Sequence, residues 1–364
     1  MTHHRRSFLK HAGAGAATGG AILGAPAIVH AQPTIRWRMP TSFAKSLNTL
    51  FGVTENVVKR VAVLTDGKFQ ISAHAPGEIV PALQVLDAVQ NGTVEIGHTA
   101  LYYYFGKDPT WAFGTTVPFG LNQRQTNSWW FYGGGDKLFN EFAAKSGIVA
   151  MISGNTGTQM GGFFRKEINS VEDLKGLKFR IAGLAGGMFS RLGVVPQQIA
   201  AGEIYSSLEK GTIDAAEWVG PYDDEKLGLG KVAKFYYTPG FWEGSAALHT
   251  IVNQKAWDAL PPAYKAALQV ASSEANTDLM AEYDSVNPPA LRRLLASGVQ
   301  LRAFPKPVMD ACYASMQDIY KELAEKNAEF KKLHDHYFTF ARDQVAWHRV
   351  AEARFDDFIS SVRR

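Results

Sequence analysis

The sequence predicts an α/β protein with two similar domains that face each other across a cleft. Strand-like and helix-like segments alternate along the chain, which is typical of α/β folds. One helix–glycine–strand pattern occurs twice, 119 residues apart. The 333 residues that follow a predicted leader exceed the usual size of a single core and favour two domains.

The alternation is clearest in the first hundred residues. The segments "TIRWRMP", "KFQISAH" and "TVEIGHTA" have strand patterns. Between the first two, apolar residues at near-helical spacing predict a helix over 47–64. The segment "ALQVLDAVQNG" predicts a second helix that ends at Asn91-Gly92. This order favours a mainly parallel sheet with helices on both faces.

The repeated unit aligns without gaps: "QVLDAVQNGTVEIGH" (84–98) lies over "EIYSSLEKGTIDAAE" (203–217). Chance similarity stays open, because such units are common. Two similar α/β domains are the sharper interpretation. Ligands of open α/β sheets sit beyond the carboxyl ends of strands, so residues 98–104 and 217–222 are expected at one cleft.

The middle of the chain predicts a connection between the domains. "IVAMI" is a buried strand, and the glycine-rich "GNTGTQMGG" is a crossing segment with mobile torsions. Ser170 and Asp173 fit a capping box. In "LKFRIAG" the pattern puts Arg180 on the same strand face as Lys178. From Pro307 onward, charged helices carry apolar stripes that need a partner surface.

Residues 1–31 resemble a twin-arginine export signal, with "RRSFLK", a short Gly/Ala-rich run and the small-x-small pattern Val29-His30-Ala31. A membrane anchor is disfavoured because the run is short, and we expect a soluble protein of the periplasm. Without these residues the net charge falls from +4 to +1, which removes the argument that the protein binds nucleic acid. Cys312 is the single cysteine, so an internal disulfide is excluded.

Several catalytic signatures are missing from the sequence. There is no Gly-x-Ser-x-Gly elbow, and "YGGGDKL" lacks the Gly-Lys-Ser/Thr of a phosphate loop. His334 and His336 are two residues apart on a predicted helix, so they point to different faces. These absences favour a binding protein over an enzyme.

The segments "INSVEDLKGLKFRIAG", "GVVPQQIAAGEIYSSLEKGTIDAAEWVGPYDDEKLGL" and "KVAKFYYTPGFWEGS" resemble the solute-binding subunits of tripartite ATP-independent periplasmic (TRAP) transporters. "AAEWVGPYDDEKLGL" with "PGFWEGS" is similar to the branch that binds 2-oxo acids such as pyruvate with a metal cation. The resemblance implies a periplasmic solute-binding fold with extra C-terminal helices. The expected bounds are 32–152 with 247–290 for domain I, 153–246 with 291–345 for domain II, and 346–364 for a C-terminal helix.

The resemblance also implies a site. Arg180 is expected to hold the ligand carboxylate. Gln159, Glu217, the backbone carbonyl of Trp218, and Glu243 are expected to hold a bridging cation, with sodium and calcium both open. From the residues alone, Glu217 beside Trp218 would be a costly unpaired charge, and a cation with oxygen ligands would be its partner.

Further ligand contacts are expected from Gln159, Trp218 and Tyr103, with Tyr102 or Tyr104 as alternatives to Tyr103. Asn155 and Thr158 are weaker candidates.

The resulting prediction is a periplasmic receptor that binds a small 2-oxo monocarboxylate with a cation and delivers it to TRAP membrane permease subunits. Lactate, another 2-hydroxy acid or a branched 2-oxo acid is the alternative ligand. A second alternative is an enzyme that uses Glu217 or Glu243 as general base, and a third is a sensor protein. A homodimer through the C-terminal helix is a further expectation.

Overall fold

The structure, a computed structural model, describes residues 32–363. The predicted export signal, residues 1–31, lies outside them. The strands are β1 (Ile35–Pro40), β2 (Phe69–His74), β3 (Ile96–Thr99), β4 (Ile148–Asn155), β5 (Gly162–Phe164), β6 (Lys178–Arg180), β7 (Val195–Gln197), β8 (Ala215–Ala216), β9 (Phe235–Thr238), β10 (Ala247–Asn253) and β11 (Gln300–Ala303).

The helices are α1 (Asn48–Leu64), α2 (Val85–Gln90), α3 (Gln123–Phe131), α4 (Gly135–Ala143), α5 (Gly183–Ser190), α6 (Ala201–Glu209), α7 (Pro221–Lys226), α8 (Leu229–Val232), α9 (Gln254–Ala259), α10 (Pro262–Ala296), α11 (Lys306–Lys326), α12 (Ala328–Val350) and α13 (Glu352–Val362). None of these helices is both long and apolar enough to cross a bilayer.

The strands form two separate sheet systems. In the first, β10 pairs antiparallel with β3 and β4, and a parallel bridge from Thr41 to His98 connects the parallel pair β1–β2 to β3. In the second, the strand order is β11-β9-β5-β8-β6-β7, and β5 is antiparallel to both of its neighbours. The predicted α/β class is confirmed, but the sheets are mixed and not mainly parallel, because both pairings of β10 and both pairings of β5 are antiparallel.

The two antiparallel strands, β5 and β10, are also the strands at which the chain passes from one sheet system into the other. Residues 156–161 lead from β4 of the first sheet to β5 of the second, and residues 239–246 lead back from β9 to β10. The two crossing segments are hydrogen-bonded to each other, from Gln159 N to Glu243 O at 3.1 Å and from Gly240 N to Gln159 O at 2.9 Å. The glycine-rich "GNTGTQMGG" is therefore the crossing segment that the sequence predicted.

The repeated helix–glycine–strand unit is real. Gly92 and Gly211 both follow a helix and have φ of +72° and +71°, a conformation that favours glycine. The turns have matching hydrogen bonds, from Thr93 N to Ala88 O and from Thr212 N to Ser207 O, both 2.9 Å. Strand β3 follows the first unit and β8 the second, so the two units present their strand ends in equivalent ways.

Helix α10 connects the two sheet systems, because it packs on α1 and β4 and also on α7. It continues through Pro288 and Pro289. The predicted boundary between domains I and II, at residues 290 and 291, lies inside this continuous helix. The domain bounds otherwise stay a prediction.

The C-terminal helices differ in how far they are covered. The apolar stripes of α11 and of α12 as far as Ala341 are buried, whereas Val345, Trp347 and Val350 at the end of α12 are exposed. Helix α13 has no buried residue, and Phe355 and Phe358 are 63% and 64% exposed. Helix α12 continues to Val350, so the C-terminal helix predicted from residue 346 begins instead at Glu352.

Candidate functional site

A small cavity lies where the strand ends of both repeated units meet the crossing segments. Its volume is about 10 Å³, close to the roughly 10–15 Å³ that one water molecule needs. Its lining residues are Phe43, Leu50, Ala100, Tyr102, Tyr103, Thr156, Gln159, Trp218, Val219, Ala246 and Leu248. Residues that follow β3 and residues that follow β8 thus share one cavity, as the sequence predicted.

Arg180, the last residue of β6, is 1% exposed. Its Nη1 donates to the carbonyl of Glu217 at 2.7 Å, and its Nε donates to the carbonyl of Ile199 at 3.2 Å. The guanidinium is ion-paired with the Glu217 carboxylate and lies 4.9 Å from the centre of the Trp218 ring. The strand pattern, which put Arg180 on the face of the exposed Lys178, therefore gave the wrong environment.

This ion pair also corrects the interpretation of Glu217. The sequence argument made a cation the partner of a stranded carboxylate, whereas the structure supplies Arg180 as a partner for one oxygen. The other oxygen, Oε2, is buried without a hydrogen-bond partner. Burial raises the pKa of Glu217 to about 7, although Arg180 lowers it.

Gly162 allows the crossing strand β5 to approach Glu217 closely. A Cβ at this position would lie 2.4 Å from the Ala216 carbonyl oxygen and 2.6 Å from Glu217 Cα. The φ of Gly162 is +89°, which side-chain-bearing residues rarely adopt. A side chain at position 162 would therefore force β5 or the backbone at Glu217 to move.

Glu243 and Gln159 lie on the two hydrogen-bonded crossing segments. Both are buried, and Glu243 Oε2 and Gln159 Oε1 have no hydrogen-bond partner. Burial and the nearby Glu217 raise the pKa of Glu243 well above its usual value. Three unpartnered oxygens from Glu217, Glu243 and Gln159 are therefore enclosed in one region, where unpaired polar atoms are costly.

These three oxygens fit a hard cation, which prefers oxygen ligands. The orphaned atoms are two carboxylate oxygens and one amide oxygen. Within residues 32–363 no group of three or more His, Cys, Asp and Glu side chains is placed to hold a metal ion. A cation at this point would therefore need the Gln159 amide, and oxygens other than carboxylates, among its ligands.

The three consecutive tyrosines have different environments. Tyr103 lines the cavity. Tyr102 also lines it and forms a hydrogen bond with Glu243 that lowers the pKa of this glutamate. Tyr104 points into the core, where its hydroxyl accepts from Leu86 N at 3.0 Å and lies 3.0 Å from Thr99 Oγ1. Tyr103 and Tyr102 thus remain ligand-contact candidates, and Tyr104 does not.

Asn155 and Thr158 are placed differently from expectation. Asn155 is buried at the end of β4, where its Oδ1 accepts from Gly157 N at 3.0 Å, and it does not line the cavity. Thr158 is exposed and donates to the Gly244 carbonyl at 3.0 Å. Thr156 occupies the lining position instead.

Sequence reasoning missed the apolar wall of the cavity. Phe43, Leu50, Ala100, Ala246 and Leu248 form this wall, and all five come from the first sheet system and its connections. In its own segment each of these residues has the pattern of an ordinary core residue, so no local signal distinguishes a cavity-lining residue from a core residue. Gln159, Tyr102 and Tyr103 bring polar atoms to the cavity, whereas Arg180, Glu217 and Glu243 are buried beside it and are not among its lining residues.

A small cavity between two α/β layers joined by crossing segments, beside a buried arginine and unpartnered oxygens, is typical of a protein that binds a small polar ligand. Residues 41–327 match the family described as bacterial extracellular solute-binding protein, family 7 (DctP), and the chain belongs to this family. The proteins of this family serve solute transport outside the cytoplasm.

Named relatives agree with this assignment. The chain is 51% identical over 329 residues, 90% of each chain, to the monocarboxylate 2-oxoacid-binding periplasmic protein of Nostoc sp. (strain PCC 7120). A TRAP transporter solute-binding protein of Bordetella bronchiseptica RB50 is 52% identical, with a TM-score of 0.89 and coverage of 91% of this chain and 98% of that one. It was crystallised as a mixed-occupancy dimer with copurified calcium and picolinate in one site and the other site apo.

A TRAP periplasmic solute-binding protein of Pseudoalteromonas atlantica T6c is 38% identical, with a TM-score of 0.86 and coverage of 89% and 99%. Its structure holds sodium and pyruvate. The predicted resemblance to TRAP solute-binding proteins is confirmed.

Proposed function

We propose that this protein is the receptor of a TRAP transporter and binds a small 2-oxo monocarboxylate, such as pyruvate, together with a sodium or calcium ion. The single observation that carries the proposal is the buried group of Arg180 with three unpartnered oxygens of Glu217, Glu243 and Gln159. The ligands and cations of the similar structures support it.

The buried charged residues and the cavity wall have distinct roles in this proposal. The Arg180 guanidinium holds the ligand carboxylate, because a planar guanidinium matches a carboxylate and forms charge-assisted bonds. Glu217, Glu243, Gln159 and the Trp218 carbonyl hold the cation, which supplies positive charge for the carboxylate and keto oxygens. The Tyr103 hydroxyl is a further donor to the ligand, and the apolar wall around Leu50 receives the aliphatic tail.

Calorimetry on refolded, ligand-free protein tests the ligand class. Pyruvate, 2-oxobutyrate, 4-methyl-2-oxopentanoate and lactate are each titrated with sodium, with calcium or with chelator in sodium-free buffer. We expect 2-oxo acids to bind and the cation-free condition to weaken binding. Tighter binding of lactate would replace the ligand, and unchanged affinity without any cation would remove the cation from the proposal.

Delivery and export complete the proposed role. The closed receptor presents its ligand to membrane permease subunits, and the twin-arginine-type leader directs the chain to the periplasm. Deletion of the neighbouring permease genes should abolish uptake of the ligand by cells. Turnover is not expected, and appearance of a product after long incubation of protein with the oxo acid would identify an enzyme.

We also propose a homodimer through the C-terminal helix. The exposed Phe355 and Phe358 of α13 support this, since a face with large apolar residues needs a cover, as does the dimer of the Bordetella bronchiseptica protein. Light scattering should give twice the chain mass for the protein without its leader. A chain that ends at Ala351 should be monomeric, and a dimer of that shortened chain would place the interface elsewhere.

A further inference from the structure

A buried carboxylate outside the cavity connects the two sheet systems. Asp223 in α7 is fully buried and accepts hydrogen bonds from Thr49 Oγ1 at 2.8 Å and from Tyr283 OH at 2.6 Å. Thr49 belongs to α1, which packs on β2 and β4 of the first sheet system. Helix α7 directly follows β8 of the second. The Thr49–Asp223 bond thus joins the two halves of the molecule.

Neighbouring residues extend this contact. Asn48, at the start of α1, accepts through Oδ1 from Tyr222 OH at 3.2 Å and also from the Lys226 ammonium. The first two residues of α1 therefore meet three residues of α7. We call this set, Asn48 and Thr49 against Tyr222, Asp223 and Lys226, the α1–α7 contact.

The α1–α7 contact is coupled to the cavity without being part of it. Neither Thr49 nor Asp223 lines the cavity. Asp224, the next residue, accepts from Val219 N at 3.3 Å and from Tyr236 OH at 2.6 Å, and the Val219 carbonyl accepts from Met160 N at 3.0 Å. Val219 and Trp218 do line the cavity, so a short, well-bonded segment joins Asp223 to the cavity wall.

We propose that Thr49 and Asp223 are positioning residues of a closure contact that holds the two halves together over the bound ligand and sets how long the ligand stays. The inference rests on the proposed function. A contact made only in the closed state shifts the equilibrium towards that state, and a ligand held by both halves leaves only after opening. Loss of the contact should therefore raise the dissociation rate and leave association almost unchanged.

The test is Thr49→Val, which keeps the side-chain shape and removes the hydroxyl that Asp223 accepts from. The matched control is Thr54→Val in the same helix. Thr54 is also fully buried, and its hydroxyl lies 3.0 Å from His98 Nδ1, within the first sheet system. Stopped-flow tryptophan fluorescence with pyruvate and calcium as the probe measures both rates.

For Thr49→Val we expect the dissociation rate to rise about tenfold, as for the loss of one charge-assisted hydrogen bond. Thr54→Val should lower the midpoint of urea unfolding and leave both ligand rates at wild-type values. A Thr49→Val protein with wild-type dissociation would overturn the proposal. Equal effects of the two variants on dissociation would overturn it as well.

A second readout separates this inference from the proposed ligand. Spin labels at the exposed positions Lys59 and Lys231 report the distance between the two halves, and the native Cys312 is buried. If the wild type binds no oxo acid, the proposed function fails, but the closure contact is still testable on the ligand-free protein. Thr49→Val should then populate longer distances than wild type and Thr54→Val, and identical distances would refute the contact.

Discussion

Replacement of Arg180 by methionine removes the charge at the centre of the site and keeps most of the side-chain volume. Glu217 then loses the partner of one carboxylate oxygen while both of its oxygens stay buried. Breaking a buried ion pair from one side costs about 3–5 kcal/mol. The pKa of Glu217 is already about 7, so the carboxylate can take up a proton, and we expect a loss near the lower limit, about 3 kcal/mol.

Ligand affinity should fall for two reasons. The carboxylate of the ligand loses its guanidinium, and a protonated Glu217 binds a cation poorly. Loss of the charge-assisted hydrogen bond alone is worth at least about 2 kcal/mol, or about 30-fold in Kd. Urea unfolding measures the stability change without ligand, and calorimetry with calcium and pyruvate measures the affinity.

Arg302→Met is the matched control. Arg302 is paired with Glu167 on the surface, and both side chains are 37% exposed. Such pairs contribute roughly 0–1 kcal/mol, so stability should hardly change and affinity should stay at the wild-type value. Wild-type ligand affinity in Arg180→Met would remove Arg180 from the site, and equal stability losses in both variants would refute the role of burial.

Three further predictions follow from the same structure. Affinity for calcium with pyruvate should fall as the pH drops from 8 to 6, because the pKa of Glu217 is about 7 and protons then compete with the cation for its carboxylate. An affinity that rises on acidification would contradict this prediction. His249 is buried beside Trp130 with its pKa lowered to about 3 by burial, so the wild type loses stability to this group as pH falls below 6.5. Phenylalanine does not titrate, so the free energy of unfolding of His249→Phe relative to wild type should rise by about 2 kcal/mol between pH 7 and pH 5, as measured by urea unfolding. A difference that does not depend on pH would refute this prediction. Gly162→Ala should lower the free energy of unfolding by about 2 kcal/mol or more, because position 162 has a positive φ and its new Cβ would clash with Ala216. The control Gly202→Ala in α6 has open space around the Cβ position and should raise the free energy of unfolding by about 0.5–1 kcal/mol. Equal effects of the two variants on the urea midpoint would contradict this prediction.

The predictable part of the fold is the part encoded by local patterns. The repeated units combine apolar periodicity with a glycine at a positive-φ turn, and both signals lie within about fifteen residues. Helix α10 was not predicted, and it contains Pro288 and Pro289, residues that usually end a helix. The contacts of α10 with α1, β4 and α7 stabilise it over both halves, and such tertiary support is not visible in the local sequence.

The residues of the site were predictable from the sequence, but the ion pair between two of them was not. The family resemblance supplied Arg180, Glu217, Glu243 and Gln159, all of which the structure buries. The bond between Arg180 and Glu217 joins residues 37 apart in the chain, and periodicity contains no information on such contacts. The apolar wall was missed for the same reason, since Phe43 and Leu248 come from distant segments.

The Arg180–Glu217 pair has a consequence for the choice of cation. With both glutamates ionised, Arg180, Glu217 and Glu243 sum to one negative charge, and a monocarboxylate adds a second. Calcium would balance this total, whereas sodium would balance it only if one glutamate kept a proton. The pKa of Glu243 is raised well above its usual value, so Glu243 is the group that would keep it. Loading with calcium should therefore release one more proton than loading with sodium, and the two forms of the receptor would differ in protonation while having the same net charge.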